Sequence, residues 1–260
     1  AHADYSQAAA LLPGSAAPRL ARGLLSLQRV SDHNFVAGWR RSEIPPSHQA
    51  LLREAEQDLR RARELGLEKD ATRYLEAALA YLAGDFAGAV AILDRLGIDG
   101  ALKEDILRLR ALAWADHIGT ARTETERHRY LQASIDDFSR LLALRVNDAH
   151  ARRLRGSLYF HSSRSPEAKA DFEAALRVDP DDSQALSDMA TFHYRAGSRE
   201  LAAPLLDRSI TADAGNMRAR SLRGVLRLER EQLAGARADF EAALEANPNY
   251  LPALLNLAIC

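Results

Sequence analysis

The C-terminal half of the sequence repeats itself with a period of 34 residues. Segments 149–182, 183–216 and 217–250 align without a gap, and five columns of the alignment keep one kind of residue. Position 8 is small, position 20 is alanine, position 24 is large and apolar, position 27 is small, and position 32 is proline or alanine. The residues in these columns are Gly156, Ala190 and Gly224; Ala168, Ala202 and Ala236; Phe172, Leu206 and Phe240; Ala175, Ser209 and Ala243; and Pro180, Ala214 and Pro248. A short unit repeated at fixed length predicts stacked hairpins, because one unit cannot bury its own apolar face.

Each unit is predicted to be a pair of antiparallel helices. Alanine and leucine dominate the sequence, only 14 glycines and 9 prolines occur in 260 residues, and no Val/Ile/Thr-rich alternating run is as long as a strand. Small residues at positions 8 and 20 let two helices approach closely, and the large residue at position 24 fills the space beside them. Proline at position 32 ends the second helix because it has no N–H to donate. We therefore expect an all-α fold.

Several motifs in these segments resemble the tetratricopeptide repeat. They are RGSLYF at 155–160, EAKADFEAAL at 167–176, DPDD at 179–182, RGVLRL at 223–228, ARADFEAALEANP at 236–248, and Ala196-Gly197 in the turn. The tryptophan that the family often carries at position 4 is absent, and Arg152, Leu186 and Arg220 stand there. The resemblance implies a right-handed superhelical solenoid in which the first helix of each hairpin lines a concave groove.

Less regular hairpins are predicted in the N-terminal half. Their helices are expected at 16–28, at 47–65, within 71–96 on either side of an Ala-Gly-Asp turn, at 102–117 and at about 123–144. Phe138 aligns with Phe172 of the next unit. Two stretches fit no helix of the repeat: 30–46, read as an inserted element or a divergent short helix, and 118–127, read as an enlarged turn. Such insertions sometimes touch a partner and are often simple elaborations.

The predicted organisation has three parts. Residues 1–148 form divergent hairpins with insertions, 149–250 form three regular repeats, and 251–260 begin a further first helix. At the other end, 5–13 reads as the end of a second helix. Because the last segment is apolar and a solenoid needs polar ends, we expect the chain to be part of a longer protein, or this helix to be completed by a partner.

One charge pattern suggests a pair between the two helices of a hairpin. The first and third repeats carry arginine at position 7 and aspartate at position 23, namely Arg155 with Asp171 and Arg223 with Asp239. The middle repeat has Met189 and Leu205 at the same positions. We interpret the two pairs as Arg–Asp ion pairs replaced by an apolar pair in the middle. The alternative is two ordinary solvated charges.

No pattern indicates catalysis, a cofactor or a metal. The sequence lacks a glycine-rich phosphate loop, a nucleophile elbow, a zinc helix and the kinase signatures. Its formal net charge of −1 gives no field that would attract nucleic acid or an anionic membrane. Its one cysteine, Cys260, excludes an intrachain disulfide. His150 and His161 share a helix face, and we interpret them as groove side chains rather than metal ligands.

The family resemblance places a partner-binding site on the first helices, at repeat positions 2, 5, 9, 12 and 13. On this chain the candidate groove residues are His150, Arg153, Ser157, Phe160, His161, Gln184, Ser187, Thr191, Tyr194, Arg195, Arg218 and Ser221, followed by Val225, Leu228 and Glu229. Phe160 and Tyr194 are the expected apolar anchors, and arginines would pair with acidic groups. Alternatively, some of these side chains only pack between hairpins. The carboxylate-holding clamp of some family members is not expected, because Asp188 would repel a carboxylate.

The expected function is a non-enzymatic scaffold for a protein or peptide. Alternatives are the docking region of a larger signalling enzyme, such as a bacterial serine/threonine kinase, and an envelope-assembly factor. All cations except Lys69, Lys103 and Lys169 are arginines, which we attribute mainly to a GC-rich bacterial genome. No apolar run is long enough to span a membrane. A cytoplasmic location is expected, or a periplasmic one if a signal peptide has been removed.

Overall fold

The computed structural model describes residues 2–12, 14–15, 17–19, 21–23, 46–66, 70–98, 100 and 102–260. All regular secondary structure in these residues is helical, which confirms the predicted all-α fold. The helices are α1 His2–Leu11, α2 Pro46–Glu64, α3 Asp70–Leu82, α4 Phe86–Leu96, α5 Lys103–His117, α6 Glu124–Leu144, α7 Ala149–His161, α8 Ser165–Val178, α9 Ser183–Arg195, α10 Arg199–Ala212, α11 Met217–Leu228, α12 Leu233–Ala246 and α13 Leu251–Leu257. Residues 17–19 and 21–23 are also helical.

The chain divides into two compact units, residues 1–141 and 142–260. In the first unit α2 packs on α3, α3 on α4, and α4 on α5. Leu75, Leu93 and Ile106 belong to the core that these helices share. The predicted insertion at 30–46 lies outside the described residues except for Pro46, which begins α2. The predicted helix 16–28 is described only in part.

The predicted turn at 118–127 overlaps the start of the helix that the sequence predicts at about 123–144. A 3₁₀ helix spans Ile118–Thr120, and α6 already begins at Glu124. The helix start has a local cause, since Thr123 Oγ1 accepts the Glu126 N–H at 3.1 Å. The Glu126 carboxylate in turn accepts the Arg122 N–H at 2.8 Å. The first hydrogen bond satisfies an amide that the first helical turn leaves without a partner, and the second holds the residue before Thr123 against the start of the helix.

Three hairpins make up most of the second unit. Helix α7 pairs with α8, α9 with α10, and α11 with α12, while α13 packs on α12. The residue before each first helix caps it: Asp148, Asp182 and Asn216 accept backbone N–H groups of the first turn. A capped end fixes where each first helix begins, so equivalent positions of successive repeats stay in register. The boundaries proposed at 148 and 250 remain predictions.

Small and large residues interlock inside these hairpins. A Cβ added to Gly156 would lie 2.8 Å from Phe172 Cε1, and one added to Gly224 would lie 2.6 Å from Phe240 Cε1. Both rings are buried and cannot move aside without disturbing the core. The middle hairpin has alanine at position 8 and the smaller Leu206 at position 24. A larger residue at position 8 is therefore accompanied by a smaller residue at position 24.

Gly224→Ala is expected to lower the free energy of unfolding by about 1–3 kcal/mol, because the new methyl group collides with the Phe240 ring. In an unobstructed helix the same change stabilises by up to about 1 kcal/mol. Gly235→Ala is the matched control, since its methyl group would meet the flexible Arg227 side chain at 3.2 Å. We expect this control to be neutral or slightly stabilising. Urea unfolding followed by circular dichroism compares the two variants, and equal stabilities would contradict the interlock.

Candidate partner-binding groove

The predicted Arg–Asp pairs between hairpin helices are present. Arg155 donates from Nε and Nη2 to Asp171 at 2.7 and 2.8 Å. Arg223 donates to Asp239 in the same bidentate way at 2.9 and 2.7 Å. Both aspartates are buried, so each arginine holds the first helix of its hairpin to the second by a largely buried ion pair. The hypothesis of two solvated charges is wrong for these positions.

The same pair occurs twice in the first unit, where sequence analysis missed it. Arg22 binds Asp58 at 2.8 and 2.7 Å, and Arg110 binds Asp137 at 2.7 and 2.8 Å. The partners are 36 and 27 residues apart instead of 16. The extra residues between the helices hid the relation. In all four pairs the arginine directly precedes a glycine or alanine, and the aspartate directly precedes a phenylalanine or leucine. This order of residues is the signal in the sequence that could have revealed the two additional pairs.

The candidate groove lies on α7, α9 and α11, and we call their side chains at repeat positions 2, 5, 6, 9, 12 and 13 the first-helix face. Helix α9 contacts both α7 and α11, so the three helices form one continuous surface within the second unit. His161, Arg195 and Arg218 are exposed on this face. The half-buried members are His150, Ser157, Phe160, Gln184, Thr191 and Tyr194. A partner would meet these two groups of side chains.

Three candidate residues at position 5 are buried. Arg153, Ser187 and Ser221 are each less than 8% exposed. Arg153 reaches Asp188 on the next first helix, so its side chain packs between hairpins. This agrees with the alternative that some candidates pack between hairpins. Arg153 is consequently a poor residue for probing partner contacts by mutation.

A charged cluster joins the three helices of the face. Asp188 on α9 accepts hydrogen bonds from Arg153 Nη1 at 3.1 Å and Arg218 Nη2 at 2.6 Å. The Ser157 hydroxyl also donates to it, at 3.4 Å. Asp188 is only 3% exposed. The sequence alone suggests a free negative charge at Asp188, whereas two arginines from the neighbouring repeats bind it.

Aromatic residues at position 12 are held by the next repeat. Tyr194 donates from its hydroxyl to Glu229 Oε1 at 2.8 Å, and Arg199 also binds Glu229 at 2.6 Å. The Arg195 guanidinium lies 5.6 Å from the centre of the Phe160 ring. In the first unit, Tyr81 donates to Asp116 at 2.7 Å with the same 35-residue separation. Position 12 of one repeat therefore contacts position 13 of the next.

These contacts perturb the titration of the groups involved. Burial, and then the hydrogen bond to Glu229, raises the pKa of the Tyr194 hydroxyl. The hydrogen bond from Arg199 is the main cause that lowers the pKa of Glu229. Glu229 therefore stays ionised at neutral pH. Both predicted anchors, Tyr194 and Phe160, are thus each contacted by a side chain of the next repeat.

Within the part of the chain that the structure describes, no group of three His, Cys, Asp or Glu side chains is arranged to hold a metal ion. Nor do these residues include a helix with the length and apolarity that crossing a bilayer requires. His161, one of the two histidines considered as ligands, makes a 2.7 Å hydrogen bond through Nδ1 with the Ser157 carbonyl oxygen.

A family model for the tetratricopeptide repeat matches three overlapping stretches, residues 126–183, 162–216 and 187–251. This chain is a tetratricopeptide-repeat protein. The matched stretches contain every residue of the first-helix face, which places the candidate groove on recognised repeats. No curated protein matches the sequence significantly.

Solved structures with the same fold have low sequence identity to this tetratricopeptide-repeat protein. The Cut9–Hcn1 hetero-tetramer of the APC/C has a TM-score of 0.67 at 13% identity, over 98% of this chain and 44% of that chain. This chain thus spans less than half of that neighbour's length. The human IFIT1 dimer with PPP-AAAA has a TM-score of 0.62 at 10% identity, over 99% of this chain and 66% of that chain. YrrB, described as a TPR protein with an unusual peptide-binding site, has a TM-score of 0.52 at 18% identity, over 86% of this chain and 99% of that chain.

Proposed function

We propose that this tetratricopeptide-repeat protein is a non-catalytic scaffold that binds a protein or peptide partner on its first-helix face. The observation that carries the proposal is the continuity of the face across α7, α9 and α11. It presents hydroxyl, amide, imidazole and guanidinium groups beside half-buried aromatic rings. Such a mixture suits a peptide, whose backbone needs hydrogen-bond partners and whose apolar side chains need anchors.

Preorganisation supports the proposal. The Arg153–Asp188–Arg218 cluster and the Tyr194–Glu229 hydrogen bond fix side chains of the face before binding. Fixing a side chain in advance removes about 0.5–1.5 kcal/mol of ordering cost for each flexible group. A rigid face can therefore hold a partner with few direct contacts. YrrB, with a similar fold and a described peptide-binding site, is consistent with this use of the fold.

Substitutions of the exposed Arg195 and the half-buried Gln184 test the proposal. Arg195→Ala and Gln184→Ala are each expected to weaken partner binding about 3–10-fold, because each removes hydrogen-bond donors without opening the core. Titration calorimetry would use a partner first isolated with the native protein. Circular dichroism should show unchanged helicity in both variants.

Arg237→Ala is the matched control for Arg195→Ala. Arg237 is also an exposed arginine, but it lies on the second helix α12, where it pairs with Glu241 at 2.8 Å. We expect this variant to bind the partner like the native protein. Native affinity in both face variants, or equal losses in the control, would contradict the proposed site.

A further inference from the structure

Position 12 of the three repeats forms a row of apolar anchors along the first-helix face. Phe160 on α7, Tyr194 on α9 and Leu228 on α11 occupy this position, and all three side chains are half-buried. Helix α9 packs on both α7 and α11. Because packed helices lie about 8–10 Å apart, the face offers one apolar anchor for each step of about 8–10 Å.

Successive anchors have equivalent surroundings. The Arg195 guanidinium lies 5.6 Å from the centre of the Phe160 ring, and Glu229 accepts the Tyr194 hydroxyl at 2.8 Å. In both contacts, position 13 of one repeat touches position 12 of the repeat before it. Phe192 makes a further contact, with its ring centre 5.8 Å from that of Phe160. The anchors therefore follow the helix-to-helix spacing from one repeat to the next.

Peptide conformations differ in how well their side chains match this spacing. In a polyproline II helix, residues three apart share one face and are about 9.3 Å apart. Same-face residues of a β-strand are about 6.6 Å apart, and the next ones about 13 Å apart. Residues seven apart in an α-helix are about 10.5 Å apart. The polyproline II period lies within the spacing of packed helices, the strand period does not, and the helical period lies just above it.

Hydrogen-bond donors on the face favour a polyproline II ligand over an α-helical one. Position 2 carries His150, Gln184 and Arg218, and position 13 adds the exposed His161 and Arg195. An α-helix satisfies most of its backbone internally. A polyproline II helix has no internal hydrogen bonds, so its carbonyl groups are open to donors of the protein. Rows of donors that recur with the same period as the anchors suit such a backbone.

The charges that a ligand would meet on the face are mainly positive. Arg195 and Arg218 are exposed. The Asp188 carboxylate is buried and bound by two arginines, and that of Glu229 is bound by Arg199. Like charges placed opposite each other across an interface are unfavourable. A segment without lysine or arginine therefore complements the face.

We propose that the ligand of the first-helix face is a proline-rich segment in the polyproline II conformation, with an apolar residue at every third position and no basic residues. Three such residues contact Phe160, Tyr194 and Leu228. Proline also lowers the ordering cost of binding, because its φ angle is fixed in advance. The inference rests on the proposed function of the face and adds the class of peptide that it binds.

Three fluorescein-labelled peptides test the period by fluorescence anisotropy with the full chain. The first consists of three Pro-Pro-Leu triplets. The second has the same composition, with leucine at its second, fourth and ninth positions, so that no two leucines share a face of the polyproline II helix. The third is an α-helical peptide of alanine and glutamine with leucine at every seventh position. We expect the first to bind about tenfold more tightly than either of the others, because it alone places leucines at the period of the anchors. Equal or tighter binding of another peptide, or no binding of the first at about 1 mM, overturns the proposal.

Tyr194→Ala removes the middle anchor and is expected to weaken binding of the triplet peptide about 5–10-fold. Leu233→Ala is the matched control, since it truncates an apolar side chain that is 53% exposed on α12, outside the face. This control should bind the peptide like the native protein. Equal affinities of the two variants would show that the peptide binds elsewhere, which contradicts the inference. If Tyr194→Ala does not fold, the three peptides with the native protein decide the question.

Failure of this inference can be told apart from failure of the proposed function. A natural partner whose binding needs Arg195 and Gln184, together with equal affinities for the three peptides, refutes the polyproline II ligand and leaves the binding face in place. A natural partner that is insensitive to both substitutions refutes the face itself.

Discussion

Phe240→Ala is expected to lower the free energy of unfolding by about 3–5 kcal/mol. The ring is completely buried and lies in one cluster with Ala236, Ala243 and Ala253. These three alanines are too small to fill the space that the ring would leave, and the larger side chains packed against the cluster, such as Val225 and Leu257, are only partly buried. The facing residue is Gly224, which has no side chain to contribute, so most of the cavity should remain. Urea unfolding monitored by circular dichroism measures the loss.

Leu233→Ala is the control for Phe240→Ala. Leu233 lies on the same helix, α12, but is 53% exposed, so its truncation should cost less than about 1 kcal/mol. A cost below about 1.5 kcal/mol for Phe240→Ala would contradict the interlock of positions 8 and 24. Similar costs for the two variants would contradict it as well.

Asp239→Asn is expected to cost about 2–3 kcal/mol, the second-largest effect. Asp239 is 2% exposed and binds Arg223 at 2.7 Å and Arg227 at 2.7 Å. Without the negative charge, these arginines remain close together between α11 and α12. The expected cost is below that of a fully buried pair because both arginines reach solvent in part.

The chain offers a matched comparison for this prediction. Asp207 also binds Arg223, at 2.8 Å, but its side chain is 63% exposed. Exposed ion pairs contribute little, so Asp207→Asn should cost less than about 0.5 kcal/mol. If chemical denaturation gave the two variants equal stabilities, the buried Arg–Asp pair would not be a structural element of the hairpin.

The regular hairpins could be predicted from sequence because their contacts recur at fixed spacings inside one unit. Gly224 and Phe240 are 16 residues apart, as are Arg223 and Asp239. Insertions between the helices erase this spacing in the first unit. Arg110 and Asp137 therefore looked unrelated, although they form the same pair.

Contacts between repeats were harder to predict, because they depend on how neighbouring hairpins are offset. Arg153 and Asp188 are 35 residues apart, one more than the repeat period. The same separation joins Tyr194 to Glu229. A search for complementary residues 35 apart would have found both. Without that offset, the sequence indicates a free charge at Asp188 and an accessible one at Arg153.

Site-specific photo-crosslinking tests most directly whether partners bind on the first-helix face. A benzophenone amino acid would be placed at Thr191 on α9, and in a separate protein at Arg237 on α12. Thr191 is half-buried on the face, whereas Arg237 is exposed on a second helix. Mass spectrometry would then identify the partner peptides joined to each position. The account predicts crosslinks from position 191 and none from position 237, and crosslinks from position 237 alone would contradict it.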